Sequence, residues 1–95
     1  MGLWRLTAAL VLALGAGQAQ QTADALYQAA LKGDSSALQQ LRTRAQQGDP
    51  DAEVDLGLMY YQGDGVAKDI ATAAGWWRKA ADQGNAAAEL QLGLL

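Results

Sequence analysis

Apolar positions recur at helical spacing along most of the chain. Leu26, Ala29 and Ala30, then Leu38, Leu41 and Ala45, then Ala52, Leu56, Met59 and Tyr60, then Ala73, Ala74, Trp77, Ala80 and Ala81 each fall on one face of a helix. Between these stripes stand residues that start and stop helices. Asp49 is a good N-cap, Pro50 fits the first helical position, and Asp51 and Glu53 suit the positive end of a helix dipole. Asp69 and Asn85 are caps of the same kind, while Gly33, Gln62-Gly63-Asp64-Gly65 and Gly84 interrupt the pattern. Gly84 stands where a left-handed residue is wanted to end a helix. The pattern predicts helices over 22–32 and 35–47, and three more opening after Asp49, Asp69 and Asn85. The class is all-α, about five helices arranged as antiparallel pairs joined by short glycine turns.

The pattern repeats. Sliding the chain by 36 places sets Gly48–Met59 on Gly84–Leu95 with six of twelve pairs identical: Gly48/Gly84, Ala52/Ala88, Glu53/Glu89, Leu56/Leu92, Gly57/Gly93 and Leu58/Leu94. The preceding stretch adds Ala37/Ala73, Arg42/Arg78, Ala45/Ala81 and Gln47/Gln83. A period in this range marks a solenoid of stacked helix pairs. Small residues at Ala52, Ala73, Ala80 and Ala81 let two helices approach, with Leu56, Tyr60 and Trp77 filling the remaining volume. Gly57 sits in the middle of a helix, where glycine costs about 1 kcal/mol against alanine. Its recurrence as Gly93 implies a place where a neighbouring helix leaves no room for a methyl group.

The first twenty residues, MGLWRLTAALVLALGAGQAQ, follow another plan. Arg5 and the amino terminus give a positive start, Leu6 to Leu14 is almost unbroken apolar sequence, and Gly17-Gln18-Ala19 offers the small residues a signal peptidase requires. The expectation is a secretory signal over 1–19, cut after Ala19, and a periplasmic or secreted mature part over 20–95. The apolar run is too short for a membrane span, which needs roughly 20 such residues.

Leu56-Gly57-Leu58-Met59-Tyr60, Gly63-Asp64-Gly65-Val66, Asp69, Ala73, Trp76-Trp77, Lys79-Ala80-Ala81, Gln83-Gly84 and Ala88 together resemble the Sel-one-like repeat, a relative of the tetratricopeptide repeat. The likeness divides the mature part into a loose repeat at 22–47, a full one at 48–83 and a truncated one at 84–95. It implies an α-solenoid whose first-of-pair helices line a concave face used for contacts with another protein or peptide. Asp51, Asp55, Leu58 and Gln62 share one side of such a helix, with Ala87, Gln91 and Leu94 at the matching side of the next. That face is mildly acidic and partly apolar, and a basic or amphipathic partner segment would suit it. The repeat stops at Leu95, inside a helix, which leaves Leu90, Leu92, Leu94 and Leu95 without cover on the outer side. Two readings follow: association with itself or a partner through that open C-terminal helix, or a shortened remnant with no independent function.

Composition narrows the chemistry. Cysteine and histidine are absent, which removes disulfides, ordinary zinc sites, cysteine nucleophiles and serine–histidine pairs. The net charge of −3, or −4 without Arg5, together with only seven basic residues, argues against nucleic acid. Some secreted relatives in this repeat group are linked to β-lactam or cell-wall chemistry, but they are cysteine-rich. No serine is followed three residues later by lysine. Gly63-Asp64-Gly65 neither follows a strand nor opens a helix with a lysine in place, so it reads as a turn rather than a phosphate loop. Asp51 and Asp69 are accounted for by helix starts, Asp64 by a turn and Asp55 by a solvated face, and the calcium-loop pattern is missing. Of the adjacent tryptophans, Trp77 continues the core stripe and Trp76 should be half-buried, its edge against the next pair. No catalytic residue, cofactor or metal is expected. A non-catalytic glycan-binding role using Trp76 and Asp55 is the alternative to a protein-binding one.

Overall fold

The computed structural model describes residues 21–95. The expected signal segment lies outside the described residues. The described part consists of five helices: α1 (Ala23–Leu31), α2 (Ser35–Gln46), α3 (Pro50–Gln62), α4 (Ile70–Asp82) and α5 (Ala86–Leu94). Among the described residues there is no strand, and three quarters of them are helical.

Every helix opens on the capping residue its sequence offers. Thr22, Asp34, Asp49, Asp69 and Asn85 have extended backbone and accept N–H groups of the first turn on their side-chain oxygens. Pro50 occupies the first turn of α3, where its missing N–H costs nothing. The link between α3 and α4 is the longest. Gly63 (φ 74°) ends α3 in the left-handed region and Gly65 (φ 72°) turns the chain again. The Asp69 N–H then donates to the Tyr60 carbonyl at 2.9 Å, tying the start of α4 to the end of α3.

Neighbours in sequence pack as neighbours in space, with α3 against α4 the most extensive contact and α1 also touching α3. Two apolar clusters result. The first joins Leu26 and Ala30 of α1, Ala37, Leu41 and Ala45 of α2, and Ala52, Leu56 and Met59 of α3. The second joins Val54 of α3, Ala73, Trp77 and Ala80 of α4, and Ala88 of α5. Tyr60 is half-buried and packs against both, so it is a hinge of the core rather than its centre. Trp76 is half-buried as expected, but against the first cluster. It faces the preceding pair instead of the following one, and the Lys79 ammonium stands 4.8 Å from its ring centre.

Gly57 meets the expectation drawn from its repetition. A Cβ there would fall inside the Trp77 indole, 2.7 Å from Cδ1. Gly93, its counterpart, has nothing within 4 Å of the same position, and Leu90, Leu94 and Leu95 are exposed. Leu92, expected to be uncovered, is half-buried against the second cluster because it takes the place on α5 that Leu56 takes on α3.

Candidate functional site

Stacking of the pairs brings the starts of α1, α3 and α5 side by side. They enclose a groove of about 240 Å³ lined by Thr22, Ala23 and Asp24 from the first helix, Asp51, Val54 and Asp55 from the third, and Asn85 and Ala87 from the fifth. Its floor is small and apolar and its rim is acidic. Asp24 and Asp51 are exposed, while Asp55 is half-buried. The Asn85 amide donates to Asp51 Oδ1 at 3.4 Å, joining the third helix to the fifth across the rim.

The sequence reading of Asp55 as an ordinary solvated carboxylate needs correction. Burial pushes its carboxyl up from 3.8 to about 7, and the nearby charges of Asp24, Asp51 and Asp49 push in the same direction. The Tyr27 hydroxyl, one turn on from Asp24, is also raised, first by burial and then by Asp55, Asp64 and Asp24. Negative potential is thus concentrated over α1 and α3, at a place where a cation would be welcome.

Of the residues expected to form a binding face, Asp51, Asp55 and Ala87 line this groove. Leu58 does not, since it is half-buried against the second cluster. Gln62 is exposed at the end of α3, Gln91 is half-buried, and Leu94 is exposed at the end of α5, all outside the lining. Thr22, Asp24 and Tyr27 were missed because the first repeat is loose and gives no register by which α1 could be matched to α3. Trp76 and Asp55, paired in the glycan reading, are separated: the tryptophan packs on the first cluster and takes no part in the groove.

Glu53 was read as a dipole partner at the start of α3. It is 2% exposed, and Gln83 Nε2 donates to its Oε1 at 2.7 Å, so it works as a buried tie between α3 and the end of α4. Burial raises its carboxyl, opposed by Lys79 and by the Gln83 hydrogen bond. The repetition of Glu53 as Glu89 and of Gln47 as Gln83 was the signal for this pair.

Among the described residues, no group of three or more acidic side chains is placed to hold a metal ion, and no helix is long and apolar enough to cross a membrane.

Comparison with known proteins matches residues 50–85 to the Sel1 repeat. A 43-residue stretch is 44% identical to the secretory immunoglobulin A-binding protein EsiB of Escherichia coli O6:H1 (strain CFT073), over 45% of this chain and 9% of that protein. The chain therefore spans about a tenth of the length of that relative. No solved structure matches. Five capped helices in pairs, a 36-residue period and the matched segment agree: residues 50–85 are similar to the Sel1 repeat, and the described residues have an all-α, tetratricopeptide-like arrangement.

Proposed function

We propose that this chain is a protein-interaction module, an adaptor or scaffold exported from the cytoplasm, which seats a basic or amphipathic segment of a partner in the groove across α1, α3 and α5. Sel1 repeats generally mediate contacts between proteins and are generally non-catalytic, which supports a binding role over an enzymatic one. The relative's name describes a protein that binds an immunoglobulin, and this supports a protein as the class of ligand without supplying its identity.

The observation that carries the proposal is the electrostatic state of the groove. Asp55 is held near neutral pKa by burial and by Asp24, Asp51 and Asp49. A lysine or arginine placed between Asp24 and Asp55 would offset that repulsion and satisfy both carboxylates with charge-assisted hydrogen bonds. Ala23, Val54 and Ala87 would pack against the aliphatic stem behind the charge.

A displayed library of random peptides, selected in parallel on the full chain and on a variant with Asp24→Asn, Asp51→Asn and Asp55→Asn, tests this. Lysine- or arginine-bearing sequences should be enriched on the native chain and lost on the variant. Equal enrichment on both, or selection of acidic peptides, would sink the proposal. The export part is tested by expressing residues 1–95 in a Gram-negative host: periplasmic recovery of a chain starting at Gln20 supports it, and an uncleaved cytoplasmic product contradicts it.

A further inference from the structure

Of the five described helix starts, four are capped by a hydroxyl or a carboxylate, and one, that of α5, is capped by an amide. There the second atom of the capping group has a task of its own. Asn85 Oδ1 accepts the Ala88 N–H at 2.9 Å, which fixes how the amide is turned. Its Nδ2 is thereby directed at the rim of the groove, where it donates to Asp51 Oδ1 at 3.4 Å. An aspartate cap, as on α2, α3 and α4, would set an oxygen against that carboxylate instead. Asn85 is half-buried and lines the groove together with Asp24, Asp51 and Asp55.

For a cation entering the groove, this hydrogen bond changes what Asp51 can offer. One of its oxygens is engaged by Asn85, which leaves the other for a ligand. The remaining acceptors belong to Asp24 on α1 and Asp55 on α3, so the groove presents three separate carboxylates from two helices. An ammonium carries three donors on one atom and can give one to each of three carboxylates. A guanidinium is a flat fork that pairs best with both oxygens of a single carboxylate, and at Asp51 that pairing is blocked. We infer that the groove selects lysine over arginine, and that Asn85 is the positioning residue that sets the choice by occupying Asp51 Oδ1. The inference rests on the groove receiving a basic segment, and it names the side chain that the segment carries.

The probes are a lysine-bearing peptide from the display selection and the same peptide with arginine in place of that lysine. Both are titrated into the full chain, into Asn85→Ser and into Asn85→Asp, each labelled for nuclear magnetic resonance. Serine and aspartate cap helices about as well as asparagine, so α5 keeps its start, and melting curves check that it does. The native chain should prefer lysine by about tenfold, the worth of one charge-assisted hydrogen bond. Both variants lack the amide and should bring the ratio of affinities close to one. A purely structural role for Asn85 would weaken both peptides alike and leave the ratio unchanged, which overturns the inference. A native chain that binds the two peptides equally, or favours arginine, also overturns it while the groove reading stands. If neither peptide shifts Asp24, Asp51 or Asp55, the groove reading and the inference fall together.

Discussion

The Trp77 indole lies directly on Gly57, and its N–H reaches past that glycine to the Val54 carbonyl, 3.2 Å away and one turn earlier on α3. The absence of one side chain thus sets how closely the two most extensively packed helices approach. Gly57→Ala should therefore be destabilising despite the better helix propensity of alanine. Displacing the indole and leaving its N–H unpaired outweighs the propensity gain, for a net loss of about 2 kcal/mol. Chemical denaturation measures it. The same change at Gly93 meets nothing within 4 Å and should be neutral or stabilising, by up to about 1 kcal/mol.

Gln83→Ala removes the partner of a carboxylate that is 2% exposed. The expected cost is about 1–3 kcal/mol, the penalty of a buried acceptor left without its donor. In a double-mutant cycle with Glu53→Ala, the second substitution should cost much less once the first is in place. Strict additivity would show that the pair is not coupled.

Asp55 makes stability depend on pH in an unusual direction for a carboxylate. Folding raises this group from 3.8 to about 7, so the folded chain takes up a proton that the unfolded chain does not hold in that interval. Its favourable contribution is complete below about pH 4 and is lost as pH rises through 7. Asp55→Asn should remove this slope and stabilise the chain at pH 8 by about 1–2 kcal/mol, after allowing for solvent at the groove mouth. Thermal melts from pH 4 to pH 8 read the effect, and a slope unchanged in the variant would assign it elsewhere.

Binding of a basic segment runs the other way. A cation in the groove favours the charged form of Asp55, so affinity should fall as pH is lowered below 7 and fall again with added salt. Titration of a lysine-bearing peptide at pH 6 and pH 8, each at low and at high salt, checks both trends.

Much of this was legible in the sequence, and the parts that were not have physical reasons. Helix starts could be read residue by residue, because Asp49, Asp69 and Asn85 act locally and need no tertiary context. The close approach at Gly57 could be read because the repeat shows the same glycine twice. The environment of Asp55 could not. Period alone places it on the outer side of α3, whereas packing buries it, and α1 adds the repulsion of Asp24 to that of Asp51 and Asp49 nearby in sequence. Glu53 was misjudged for a related reason: first-turn acids usually serve the dipole, whereas this one is covered by α4. Trp76 was placed on the correct depth but the wrong neighbour, since adjacency on a helix does not say which flanking pair receives the ring.

The most direct test of the groove is chemical-shift mapping of a lysine-bearing peptide, taken from the display selection, on the full labelled chain at pH 8. The account predicts perturbations concentrated on Asp24, Tyr27, Asp51, Asp55 and Ala87, abolished by Asp55→Asn together with Asp24→Asn. Perturbations gathered instead around Gln39, Gln40 and Thr43 on α2, or unchanged in that double variant, would contradict it.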